Sequence, residues 1–149
     1  MSIATSCVID LDADPVIPSG WYGFASHIKK GILEWNPDKF SMYFSLFQQN
    51  GKHIWGPYLQ GEIVARHGYL LLNANVLDYW LSHQDIIPEE CKNPQISLCF
   101  WGTTYSIKKS RPQRYVRQLF LRDNGSFGWT YRAVDTMFDC KFPVAVYEG

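Results

Sequence analysis

Arg114–Val134 reads RYVRQLFLRDNGSFGWTYRAV, two runs rich in β-branched and aromatic residues on either side of Asp123-Asn124-Gly125. A D-N-G turn between strand-like runs is a strong hairpin signal, because Asn and Gly tolerate the positive φ of a tight reversal. SLCFWGTTY (Ser97–Tyr105) has the same composition, and PVAVYE (Pro143–Glu148) reads as one more short strand. The C-terminal half therefore predicts an antiparallel β-meander of three to four strands.

Alternation along those strands sorts their side chains by face. Trp101, Thr103 and Tyr105 fall on one side of the first strand, as do Tyr115, Leu119 and Leu121 on the second and Phe127, Trp129 and Tyr131 on the third. Aligned, they form an aromatic face large enough to dominate a core. The other face carries Phe100, Thr104, Gln118, Phe120, Arg122, Thr130 and Arg132. Such a basic, partly apolar surface suits a sheet side left to solvent or to a partner.

Upstream the period lengthens. Asn36-Pro37 suits a helix start, Phe40, Phe44 and Phe47 follow at helical spacing, and Asn50-Gly51 supplies a left-handed stop. Leu59 and Ile63, with Gly68 beyond, give a weaker helical pattern. LNANVLDYWLSH (Leu72–His83) is the clearest helix: Asn73 or Asn75 caps it, Asp78 favours its first turn, and Val76, Leu77, Trp80 and Leu81 form the apolar stripe. Ile87-Pro88 disfavours continuation. Two to three helices of the N-terminal half thus pack the meander, which makes the expected fold class α+β.

The chain has 149 residues, 46% apolar and 16% aromatic, with fourteen basic side chains against fourteen acidic. That length suits one globular domain over 1–149, and a domain of ~150 residues buries roughly 68–70% of its unfolded surface. The apolar and aromatic content excludes intrinsic disorder, and the neutral balance disfavours bulk electrostatic attachment to nucleic acid or membranes. Charge is uneven, however: residues 1–94 hold ten acids and six bases, residues 95–149 four acids and eight bases. The start, MSIATSCVIDLDADP, lacks a basic n-region and a long apolar stretch, and no window approaches the ~18 apolar residues of a membrane span. Cys7, Cys91, Cys99 and Cys140 form no C-x-x-C pair and read as free, mostly buried thiols. A cytoplasmic protein without a membrane partner is the expectation.

Six segments occur in order: DADPVIPSGW (Asp12–Trp21), EWNPDKF (Glu34–Phe40), QQNGKHIWG (Gln48–Gly56), LNANVLDYWL (Leu72–Leu81), IIPEE (Ile86–Glu90) and FWGTTY (Phe100–Tyr105). Together they resemble a family of small uncharacterised bacterial proteins, many from candidate-phylum genomes. The resemblance spans nearly the whole chain and implies one compact bacterial domain. It brings no activity, cofactor or catalytic residue, and Cys91 stands where the pattern would have Trp.

Chemistry-bearing motifs are sparse. Asp10-Leu11-Asp12-Ala13-Asp14 after an apolar run is similar to the nucleophile motif of haloacid-dehalogenase-like phosphatases. Pro15 interrupts the loop, no later acidic pair follows, and a calcium loop fails because Pro15 and Trp21 stand where Gly and Glu are required. Turn and capping acids are the favoured reading, a metal-dependent hydrolase or transferase the alternative. His27, His53, His67 and His83 lack zinc-site spacing, and no phosphate loop, dinucleotide motif or nucleophile elbow occurs. No cofactor, no metal and no catalytic residue are assigned, and an enzyme is disfavoured.

The basic stretch Lys108, Lys109, Arg111, Arg114, Arg117 and Arg122, with Tyr115 and Phe120 between them, could stack single-stranded nucleic acid. A neutral chain favours instead a protein partner with an acidic surface, since Arg and aromatic side chains anchor interfaces. The candidate binding residues are Arg117 at the loop-side edge, and Phe120, Arg122 and Arg132 on the exposed sheet face.

Overall fold

The computed structural model describes residues 7–110 and 112–148. In chain order its strands and helices are β1 (Val8–Asp10), β2 (Gly23–His27), β3 (Ile32–Glu34), β4 (Phe40–Tyr43), β5 (Ile54–Trp55), α1 (Gly56–His67), α2 (Ala74–Ser82), β6 (Ser97–Cys99), β7 (Thr103–Ser106), β8 (Tyr115–Leu121), β9 (Phe127–Ala133), β10 (Met137–Phe138) and β11 (Val144–Tyr147). The chain is α+β.

The hairpin forms where the D-N-G signal places it, with β8 and β9 paired antiparallel from Tyr115↔Ala133 to Leu121↔Phe127. Gly125 takes φ +86°, a value that a side chain would strain. Asn124 Oδ1 accepts from the N–H and hydroxyl of Ser126, which fixes the reversal.

Beyond the hairpin the expected meander of three to four strands gives way to a larger mixed sheet. β8 meets both β6 and β7 along its other edge, in the registers Cys99↔Gln118 and Tyr105↔Tyr115. The seven residues Cys99–Tyr105 thus run beside the four residues Tyr115–Gln118, and after Phe100, whose N–H still donates to the Arg117 carbonyl, the surplus around Trp101–Gly102 swings out of the ladder. Leu71 and Leu72 enter the slot so opened: the Gly102 N–H donates to the Leu72 carbonyl, the Leu72 N–H donates to the Ala145 carbonyl, and Leu71 bridges Val146. β11 then lies parallel to β6 and antiparallel to β4, while β2 borders β7. The result is a seven-stranded mixed sheet in which β2, β7, β8, β6, β11 and β4 follow one another and β9 flanks β8.

β11 explains why sequential pairing fails. Val144, Ala145, Val146 and Tyr147 are all buried, alternately in two different clusters. A strand apolar on both sides belongs inside a sheet covered on both faces rather than at the margin of a meander.

The helices likewise divide between the faces, and strands β1–β5 precede them, so the N-terminal half is not a helical layer. α2 buries Val76, Leu77 and Trp80 with Leu98, Phe100, Leu119, Ala145 and Tyr147. α1 buries Leu59 and Ile63 with Cys99, Trp101, Val116, Val144 and Val146. Each such aliphatic side chain contributes about 1.5–3 kcal/mol on burial. The helix expected over 36–50 is absent. Asn36 caps a short 3-10 turn at Pro37–Lys39, β4 follows, and a second 3-10 turn spans Leu46–Gln48 with a Ser45/Gln48 capping box. Phe40 goes under Trp80 at 5.5 Å, whereas Phe47 stays 57% exposed, so the three rings never share a helical face.

The bulge also splits the expected aromatic row. Trp101 packs against Phe138 in the α1 cluster, while Tyr105 lies under Trp21 on the other side. Parity counted across Phe100–Gly102 fails because the ladder is interrupted there.

A Cβ on Gly102 would lie 2.7 Å from the Leu72 carbonyl and the Asn73 nitrogen, which are backbone atoms that cannot rotate away. Gly102→Ala is therefore expected to lose about 1–3 kcal/mol by overpacking, read as a lower urea midpoint; an unchanged midpoint contradicts the slot.

Candidate functional site

Arg117 is not part of an open surface. Its position follows Tyr115 and precedes Leu119, so its side chain enters the face covered by α2, where the residue is 3% exposed. Its guanidinium makes two bonds to Asp78, Nη1 to Oδ2 at 3.0 Å and Nη2 to Oδ1 at 2.9 Å, and lies 4.2 Å from the Trp129 ring centre. Burial opposes its charge, yet Asp78 and Tyr105 outweigh burial and leave its pKa raised. Asp78, expected as a first-turn acid, is the anchor of α2 on the sheet. Beyond this pair Trp21 reaches across three strands to Tyr105, Tyr115, Trp129 and Tyr131, with ring centres 5.1–6.3 Å away.

The other three predicted residues do share a face. Phe120 is opposite Gly128 and Val116 opposite Arg132 in the β8–β9 register, so Phe120, Arg122 and Arg132 project from the same side of the hairpin. The Arg122 guanidinium lies over Gly128, so close that a Cβ there would meet it at 2.6 Å. Arg132 is clamped on the Phe142 ring at 4.2 Å and donates to the Met137 carbonyl. Thr130, half-buried, lies between them, and Gln118 on the same side is buried against the Cys99 thiol, whose pKa burial pushes up to about 12. Lys108, Lys109 and Arg114 are exposed, and the two lysines face Trp21 and Tyr22 across an open cleft of about 730 Å³. Arg111 and the first six residues lie outside the described residues.

The N-terminal acids are engaged with backbone. Asp10 accepts from the Asp12 N–H at 3.0 Å, Asp12 accepts from the Gly31 N–H at 2.8 Å, and Asp14 approaches Lys29 at 3.9 Å. Among the described residues no group of three His, Cys, Asp or Glu side chains is arranged to hold a metal. His27 adjoins this loop, its Nδ1 2.7 Å from Thr103 Oγ1 and its Nε2 3.0 Å from the Ala13 carbonyl. Thr103 Oγ1 already accepts from the Ala74 N–H, so its proton points to Nδ1 and Nε2–H donates to Ala13, an assignment made from the hydrogen-bond network. Burial lowers the His27 pKa and Lys29 adds to it, against the Ala13 and Leu11 contacts and Asp14.

Two asparagines carry more than the sequence suggested. Asn73 caps α2 by accepting from the Asn75 N–H, and its amide donates to the carbonyls of Leu11 and Ile28. The Asn75 amide donates to Asp10 and Ala13. The repeated Asn in LNANV was legible as a cap; its second task joins segments about sixty residues apart and left no local signal. Cys7, Cys91, Cys99 and Cys140 are free thiols, and no helix among the described residues is long and apolar enough to cross a membrane.

Comparison with known proteins returned no matching family model, no matching curated protein and no matching solved structure.

Removing one partner of a buried ion pair costs about 3–5 kcal/mol, and Asp78 retains 30% side-chain exposure. Asp78→Leu is therefore expected to lose stability at or below the low end of that range. Asp78→Leu with Arg117→Met should recover part of the loss in urea unfolding; a double variant no more stable than the single contradicts a stranded charge.

A His27 pKa below its ordinary 6.5 means that the unfolded chain binds the extra proton first. Stability is therefore complete above about 6.5 and falls as pH drops below it. Urea midpoints from pH 7.5 to 5 should show a shallower fall in His27→Gln; identical slopes contradict the assignment.

Proposed function

We propose that this chain is a non-catalytic binding and regulatory domain that docks another protein through the Phe120, Arg122 and Arg132 face of the β8–β9 hairpin. The observation that carries the reading is the fixed pose of two guanidinium groups on the same side of the hairpin, beyond the part that α1 covers, with Arg122 exposed and Arg132 half-buried. Arg122 lies flat on the bare backbone of Gly128, and Arg132 is held between Phe142 and the Met137 carbonyl. Prepositioned arginines lose little side-chain freedom on association and form strong paired bonds to carboxylates. An acidic partner surface is both steered to them and recognised by them. Arg117 has no part in this surface, because Asp78 and Trp129 already enclose it.

Free thiols at all four cysteines support a reducing compartment, the cytoplasm in this reading. The resemblance to a bacterial family adds no residue to the site, and the reading rests on the hairpin alone.

Arg122→Glu, at an exposed position, should retain the parent's thermal midpoint to within a few degrees, whereas Arg122→Glu/Arg132→Glu also gives up the Phe142 and Met137 contacts and should melt lower while remaining folded. In parallel captures from a cell lysate, the partners recovered by the parent should be missing with the double variant and should be released by salt. Equal recovery by both proteins removes the assignment, and a nucleic acid as the captured species replaces it with another.

A further inference from the structure

The outer edge of β9 is closed at both ends and open in the middle. Bonds between Arg122 and Ser126 and between Val134 and Arg114 fix the alternation of the β8–β9 ladder. Gly128, Thr130 and Arg132 therefore bond β8, and Phe127, Trp129, Tyr131 and Ala133 turn their N–H and C=O groups away from it. At Phe127 the side-chain amide of Gln84 takes both groups, accepting from the N–H at 2.9 Å and donating to the carbonyl at 3.2 Å. At Ala133 the Thr136 hydroxyl donates to the carbonyl at 2.7 Å. Between these stops, the backbone groups of Trp129 and Tyr131 bond nothing among the described residues. Proteins usually protect long sheet edges, and this one is capped at Phe127 and at the Ala133 carbonyl but bare over its aromatic stretch.

We infer that this open edge accepts an extended segment of a protein partner as an added strand, and that the segment alternates apolar with acidic residues. The inference rests on the basic-face reading and names its ligand. Residues placed opposite Trp129 and Tyr131 would project on the side where Trp21, Trp129 and Tyr131 cluster. Their neighbours would project on the other side, toward Arg122 over Gly128 and toward Arg132. Backbone pairing supplies affinity and the two faces supply specificity. A second copy is disfavoured as the occupant. Antiparallel β9–β9 pairing centred on Thr130 sets Arg132 of one molecule opposite Gly128 of the other, over which Arg122 already lies, so like charges meet.

The test uses the intact chain and a short synthetic peptide alternating valine and glutamate. It is expected to shift the backbone amide resonances of Trp129 and Tyr131 and to bind at least roughly tenfold more tightly than a valine–lysine peptide. Methylating the valine nitrogens should abolish binding without any change to the protein. Tyr131→Pro, which removes an outward N–H together with the ring packed on Trp21 and Tyr115, should lose binding as well, and the methylated peptide isolates the backbone share of that loss. Arg122→Glu/Arg132→Glu should reverse the preference toward the lysine peptide. Undiminished binding by the methylated peptide overturns strand addition and leaves the basic face standing. Loss on methylation with unchanged charge preference overturns the acidic partner and the basic-face reading together. No binding of either peptide, or a concentration-dependent dimer that excludes the peptide, overturns the inference outright.

Discussion

Leu72 and Asn73 run so close to the α-carbon of Gly102 that no side chain fits between them, and much of the molecule is organised by this approach. Because residues 101–102 leave the ladder, one continuous stretch serves two neighbours, β11 beside β6 and β2 beside β7. Because Leu71 and Leu72 fill the gap, α2 starts directly at the sheet, with Asn73 capping it and holding the carbonyls of Leu11 and Ile28. One turn further along α2, Asp78 reaches Arg117. The pair is an ion bridge in the middle of an apolar face, where desolvation offsets much of its attraction but losing one partner strands the other.

The hairpin and α2 were legible because their signals are local. A D-N-G reversal and an Asn-capped apolar stripe depend on neighbours within a few residues. The stretch 36–50 misled for the converse reason: Phe40, Phe44 and Phe47 have helical spacing, but Phe40 is drawn to Trp80 and β4 to β11, forty and about a hundred residues away. Long-range pairing overrode a periodic pattern. The place of β11 could have been suspected from its unbroken apolar run, which suits a doubly covered strand.

For the surface, strict alternation put Phe120, Arg122 and Arg132 together correctly. The same rule applied to Arg117 places it with Tyr115 and Leu119, on the buried side; its charge suggested otherwise. Its partner Asp78 is thirty-nine positions upstream, and no spacing rule joins them. Trp21 was equally invisible as the ring that roofs Tyr105, Tyr115, Trp129 and Tyr131, and Gln84 as the side chain that closes one end of β9. Both act across tertiary distance from irregular segments.

Phe40 stands opposite Tyr147 in the sheet, and that register governs how the chain must assemble. Neighbours in space that are distant in sequence impose a loop-closure cost before any contact rewards it, so folding is slow for the chain's size. On the ribosome, β4 and β6 emerge long before the strand that lies between them. Until Val144–Tyr147 clears the exit tunnel, both keep bare flanks, and unpaired strand flanks are what expose a growing chain to mispairing.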